Sequence, residues 1–182
     1  METTYLNGYG RSWTWWVLAL VFLGYGAAGL GADIEAAPAN IQSAIFLKTL
    51  ALNKNIAGGG DVTLVVIKSK EFAEAMKPAI GRTIGTSKLA TILTVEEVPT
   101  DKPAKLTVIY LGDAAKLEAC TKYCRQYKVA SITGIPELVK KGITLTVGVL
   151  DKKPKIVLNL ASTKEEGIEW DPQILKVAST IE

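Results

Sequence analysis

The chain is predicted to be an α/β protein. We expect a single three-layer domain, a mainly parallel sheet flanked by helices, with an antiparallel C-terminal edge hairpin. Three observations carry this. The run Val62-Thr63-Leu64-Val65-Val66-Ile67 is nearly continuous and β-branched, as in a strand buried on both faces. Similar runs alternate with helical stretches, and strand–helix–strand alternation demands right-handed crossovers with helices on both faces of the sheet. Finally, Ile143, Leu145, Val147 and Val149 alternate with Thr144, Thr146 and Gly148 ahead of a turn, which is hairpin patterning.

The elements follow in order. Residues 33–40 read as a short polar linker bearing Pro38. Helical spacing begins at Ile41 and continues through Ala44, Ile45, Phe46, Leu50 and Leu52 to about Lys54. Gly58-Gly59-Gly60 breaks it. After the strand 62–67, Ser69 caps a helix that Pro78 stops. Lys88 to Val95 is the second strand, 99–105 a loop, and Leu106 to Tyr110 the third strand. Gly112 and Asp113 open a helix to about Tyr127, Val129 to Ile132 is the fourth strand, and a short helix from Ile135 ends at Gly142. Asp151-Lys152-Lys153-Pro154 turns the hairpin, and Lys155 to Leu160 returns at the edge of the sheet. A final helix starts with Asp171 as N-cap, Pro172 in its first position and Trp170 stapled onto Leu175.

Composition limits function. The chain has 182 residues, no His and a net charge of +3. Without His there is no Ser-His-Asp or Cys-His catalysis, no His-ligated zinc or haem, and no histidine pH switch. Near-neutral charge is not the footprint of a nucleic-acid binder. No cofactor is implied. Residues 1–32 stand apart: Arg11 precedes an uncharged apolar block over 13–32 that holds three of the four Trp. The order of weakly basic, apolar and small-residue regions is that of a secretory signal peptide, and the same block is long enough for a membrane anchor. Either fate places the domain, 41–182, outside the cytoplasm.

In open α/β sheets, ligands bind at the carboxyl ends of the strands. Here those ends carry Ser69, Asp113 and Thr133, a candidate small-ligand crevice whose members also suit helix caps and a turn. Cys120 and Cys124 share a helix face with Leu117 and Tyr127, hence with the core. Helical Cβ atoms at that spacing lie about 5–6 Å apart, beyond the roughly 3.5–4.5 Å of a disulfide. That leaves two buried thiols, a strained bridge, or a helix that ends before Cys124. The acidic set Glu165, Glu166, Glu169 and Asp171 lacks the spacing of a calcium loop and reads as solvated surface. Lys140, Lys141, Lys152, Lys153 and Lys155 gather near the hairpin, as a protected edge or a contact for an acidic partner.

The C-terminal third resembles the YfiR-like family of exported proteins. The resemblance lies in Ile132-Thr133-Gly134-Ile135-Pro136, Gly142, the hairpin with Gly148, and the stretch from Lys153 to Ala161. Glu166-Gly167-Ile168 and Gln173 to Ala178 follow in the same order, and upstream the helix from Ile41 and the strands 62–67 and 106–110 are collinear. It covers about 40–182. The resemblance implies a non-enzymatic periplasmic regulator that binds the extracytoplasmic part of a membrane signalling protein, a diguanylate cyclase or a sensor kinase, tying the envelope to cyclic-di-GMP and biofilm state. The resemblance extends to a member with disulfides, but it does not match Cys120 and Cys124 to those bridges, so it implies no redox-sensing role for them. For such a partner the hairpin and the segment after it are the expected contact, with Lys152, Lys153, Asn159, Lys164, Glu165 and Trp170. Asn159 also suits a strand terminator. A small-ligand module using the carboxyl-end crevice is the alternative function, and homodimerisation through a sheet edge or helix face is a further option.

Overall fold

The structure, a computed structural model, describes residues 34–103 and 106–182. The apolar block 13–32, and with it the signal-peptide or anchor assignment, lies outside them. Among the described residues no helix is long and apolar enough to cross a membrane.

The chain opens with β1 (Glu35–Ala36), α1 (Ala39–Leu50), α2 (Lys54–Ala57) and β2 (Gly60–Ile67). Then come α3 (Lys70–Met76), β3 (Thr83–Ile84), β4 (Ser87–Val95), β5 (Leu106–Leu111) and α4 (Leu117–Tyr127). They are followed by β6 (Ala130–Thr133), β7 (Leu145–Leu150), β8 (Lys153–Asn159), α5 (Leu160–Glu165), α6 (Ile174–Val177) and β9 (Ala178–Ile181). The strand order is β3-β4-β2-β5-β6-β7-β8-β9, with β1 also paired to β7. The β4-β2-β5-β6-β7 block is parallel throughout, as the β-branched runs required.

Two apolar layers sandwich this block. On one face Val62, Leu64, Val66, Val108 and Tyr110 pack under Phe46 of α1 and Phe72 of α3. The Phe72 ring stacks on Tyr110 with centroids 3.6 Å apart. On the other face Val65, Ile67, Ile109 and Leu111 meet Cys120, Tyr123 and Cys124 of α4. Helices on both faces make the three layers. Each fully buried large apolar side chain contributes about 1.5–3 kcal/mol.

Several expectations are corrected. The hairpin β7–β8 is not the sheet edge: β9 pairs with β8 in parallel, Ile156 to Ala178 through Asn159 to Ile181, and lies outside it. The first face of β7 is therefore not alone in being buried; Leu145, Thr146 and Val147 are all buried. The final helix is a single turn, because the chain returns to the sheet at Ala178. Asp171 does bond the Gln173 amide at 2.8 Å, but Leu175 is 59% exposed while Trp170 packs on the core. The linker 33–40 contains β1, whose two residues fill the pairing side of β7 that short β6 leaves vacant. Gly148 permits that approach, since a Cβ there would lie 2.6 Å from the Glu35 carbonyl oxygen.

The inward face of α1 also differs. Gln42, Ser43 and Thr49 are buried, whereas Ile41 and Ala44 are not. The polar side chains are tolerated there because each is bonded. Gln42 Nε2 donates to the Ala37 carbonyl at 2.6 Å, and the Tyr110 hydroxyl donates to Gln42 Oε1 at 2.9 Å.

Candidate functional site

The carboxyl ends of the parallel strands gather Ser69, Asp113 and Thr133, as expected from the topology. Their chemistry is local. Ser69 Oγ accepts from the Phe72 amide at 3.4 Å and so caps α3. Asp113 Oδ1 accepts from the Ala115 amide at 2.9 Å and caps the turn that leads into α4. Lys68 reaches Asp113 at 3.7 Å across the surface. Thr133 is 0% exposed. Its hydroxyl donates to the Leu111 carbonyl at 2.7 Å and accepts from the Ile135 amide at 3.1 Å. That removes Thr133 from any ligand contact, because both bonding directions are spent inside the fold. The space between is filled too. A Cβ on Gly112 would lie 2.6 Å from Ser69 Cβ, and one on Gly134 would lie 2.5 Å from the Tyr110 hydroxyl.

The hairpin tip projects from this same end, since β7 runs on past Thr133 to Leu150. Asp151 and Lys152 form its two-residue turn, with φ of 51° and 62°. Both lie in the left-handed region that such turns require and that Asn and Gly fill at least cost. Lys152 and Lys153 are exposed, and neither pairs with an acidic group among the described residues.

The other expected contact residues lie at the opposite end, because β8 runs back antiparallel to β7. Asn159 is buried: its Oδ1 accepts from the Ser162 amide at 2.8 Å, capping α5, and its Nδ2 donates to the Val139 carbonyl at 2.7 Å. It is thus the strand terminator rather than a contact. Glu165 pairs with Arg125 at 2.8 Å, and Lys128 donates to its carbonyl at 2.9 Å. Lys164 is exposed on the same turn. Trp170 is half-buried and bridges Asn53 in an antiparallel pair. The six residues therefore divide between two ends of the sheet. Lys140 and Lys141 sit on the β6–β7 crossover, not at the tip.

The amino end holds what the sequence reading missed. Glu166, expected on the surface, is 0% exposed. Three groups converge on its carboxylate: the Ser131 amide at 3.0 Å, the Ser131 hydroxyl at 2.5 Å and the Thr144 hydroxyl at 2.6 Å. Burial raises its pKa from the usual 4.5 to about 7, against the opposing pull of those donors and of Arg125. Cys124 stands close by. The helix runs through it, and both Cys120 and Cys124 are free and buried. The neighbouring Cys120 thiol and burial raise the Cys124 pKa well above normal, and the Glu166 charge adds to the shift. A thiol so held is protonated and unreactive.

At the amino ends of β5 and β6 lies a cavity of about 190 Å³. Asn53 forms part of its wall and is 0% exposed. Among the described residues no group of three or more Cys, Asp or Glu stands ready to hold a metal.

Comparison with known proteins supports the fold and the family. A solved conserved domain protein from Vibrio cholerae biovar El Tor matches with a TM-score of 0.53 at 14% identity, covering 81% of this chain and 61% of that one. An ABC domain from Streptococcus pneumonia, solved in complex with L-Trp, matches with a TM-score of 0.49 at 12% identity over 80% of this chain and 60% of that one. The chain thus spans about 60% of the length of these structures, and the likeness to the first is one of fold alone. A search of curated proteins gives no match. The YfiR/HmsC-like family model matches residues 50–179, from the end of α1 into β9, and the chain belongs to that family.

Proposed function

We propose that the domain is a non-enzymatic regulator, exported from the cytoplasm, that binds the extracytoplasmic part of a membrane signalling protein, a diguanylate cyclase or a sensor kinase. Family membership over 50–179 is the observation that carries this reading. The absence of His from the sequence and the burial of both thiols agree with a binder rather than a catalyst.

The binding surface in this reading is the hairpin tip. Lys152 and Lys153 project there without an acidic partner among the described residues, suited to an acidic patch on another protein. Lys152 also occupies a left-handed backbone position that disfavours a side-chain-bearing residue by about 1 kcal/mol. Strain of that kind is kept where the side chain serves a purpose beyond folding. Solvent-facing lysines of this sort set association rate and specificity more than fold stability.

The test is co-purification of the tagged full-length protein from detergent-solubilised native membranes, with its Lys152→Glu/Lys153→Glu variant in parallel. Recovery of a membrane cyclase or sensor kinase by the wild type, and its depletion with the variant, is the expected result. A preparation that carries no membrane signalling protein contradicts the proposal.

A further inference from the structure

We propose that the cavity at the amino ends of β5 and β6 binds a small monocarboxylate with an apolar body. The inference is independent of the protein partner, whose proposed surface lies at the other end of the sheet.

The first observation is an orphaned donor. Asn53 is fully buried, yet its Nδ2 has no hydrogen-bond partner. Its orientation is fixed by the rest of the side chain. Oδ1 accepts from the Asn55 amide at 3.0 Å and from the Ile56 amide at 3.3 Å, capping α2. Exchanging oxygen and nitrogen would set an NH2 group against two N–H groups, so the donor must face away from α2. A buried amide left without an acceptor costs about 1–3 kcal/mol and calls for a missing partner.

The second observation doubles the first. Trp170 is the cross-strand partner of Asn53, and its Nε1 is also buried without an acceptor. Residues directly opposite in an antiparallel pair place their side chains on one face. The residue opposite Asn53 thus also carries an unsatisfied buried donor, although Trp170 packs on the core and is not part of the cavity wall. The chain holds them there firmly: Lys54 N donates to the Glu169 carbonyl at 2.8 Å, and Asp171 N to the Leu52 carbonyl at 2.7 Å.

The third observation is the lining. Asn53 borders the cavity of about 190 Å³, whose apolar wall includes Ile56, Leu106, Val129 and Ile168. Lys102 and Lys128 stand at its exposed rim, and among the described residues no acidic side chain lines it. One unsatisfied amide in the wall, two cations at the rim and an apolar lining select an anion with a hydrocarbon body. The volume limits it to a small molecule.

The experiment uses the full-length 15N-labelled protein. Benzoate and 4-methylpentanoate are titrated while the side-chain amide of Asn53 is followed by NMR, with benzyl alcohol as the uncharged control. Saturable shifts of that amide with both carboxylates are expected, and weaker binding of the alcohol. Asn53→Asp keeps the acceptor that caps α2 but replaces the donor with a charge, and should weaken binding at least about tenfold. Lys128→Gln leaves Asn53 in place and should weaken it about threefold. The proposal is overturned if neither carboxylate moves the amide, if the alcohol binds as tightly as benzoate, or if both variants bind like the wild type. A bound water that keeps its contact to the Asn53 amide at saturating carboxylate overturns it as well.

Discussion

The two ends of the parallel sheet are built differently. At the carboxyl end the three polar residues that topology marks as a crevice each have a fold-internal use. Ser69 and Asp113 cap helices, Thr133 bonds Leu111 and Ile135, and Gly112 and Gly134 let side chains close over the space. At the amino end Glu166 is buried as a lone carboxylate, Asn53 and Trp170 have donors without acceptors, and a cavity remains. Open α/β sheets usually place their ligand crevice at the carboxyl end. Here the space among Ser69, Asp113 and Thr133 is closed, and the hairpin tip extends beyond it. Unmet polar demand marks a site more directly than topology does.

The largest test of this contrast is Glu166→Ala. Removing the carboxylate leaves the Ser131 amide, the Ser131 hydroxyl and the Thr144 hydroxyl without their acceptor. We expect a loss of about 2–4 kcal/mol in urea unfolding at pH 5. A loss under about 1 kcal/mol would show that the cluster is not structural. The same residue sets a pH dependence. Its carboxyl titrates near 4.5 when unfolded and at about 7 when folded, so the folded state binds the proton more tightly. Its stabilising contribution is full below the lower value and is lost as pH rises through about 7. Unfolding curves of the wild type should therefore weaken between pH 5 and pH 8 more than those of Glu166→Gln. Parallel profiles would remove the group from the account.

Gly148→Ala probes the closed end. The added Cβ would meet Ile34 Cγ2 and, at 2.6 Å, the Glu35 carbonyl oxygen. We expect a loss of about 1–3 kcal/mol and faster hydrogen exchange at β1, measured amide by amide. Unchanged exchange there would mean that β1 does not help close this end. The smallest effect has the opposite sign. Lys152→Gly relieves the left-handed turn and should stabilise by about 1 kcal/mol while weakening partner binding. A variant that gains stability and keeps full affinity would separate Lys152 from the interface.

The parallel block was legible because buried strands are written as β-branched runs. Val62 to Ile67 and Leu106 to Tyr110 lie inside the observed strands, and Ser69 and Asp113 cap as read. β1 and β3 were not legible, since two residues carry no period. β9 was hidden behind a good helix start: Asp171 and Pro172 do begin a turn, and pairing with β8 ends it at Ala178. α5 left one sign, Asn159, whose capping role follows from the same side chain that ends the strand. Glu166 left none. It sits in an acidic run, and only the positions of Ser131 and Thr144, 35 and 22 residues away, reveal that it points inward. The split of the expected contact residues follows from strand direction. β8 carries the chain from Lys153 at one end to Asn159 at the other, a span that proximity in sequence conceals.

The most direct measurement of the central claim is calorimetric titration of the wild type and two variants against the extracytoplasmic part of the co-purified partner. Lys152→Glu/Lys153→Glu alters the hairpin tip, and Lys164→Glu alters the opposite end. Loss of affinity in the first with no change in the second is the predicted result. Wild-type affinity in the tip variant would contradict the account.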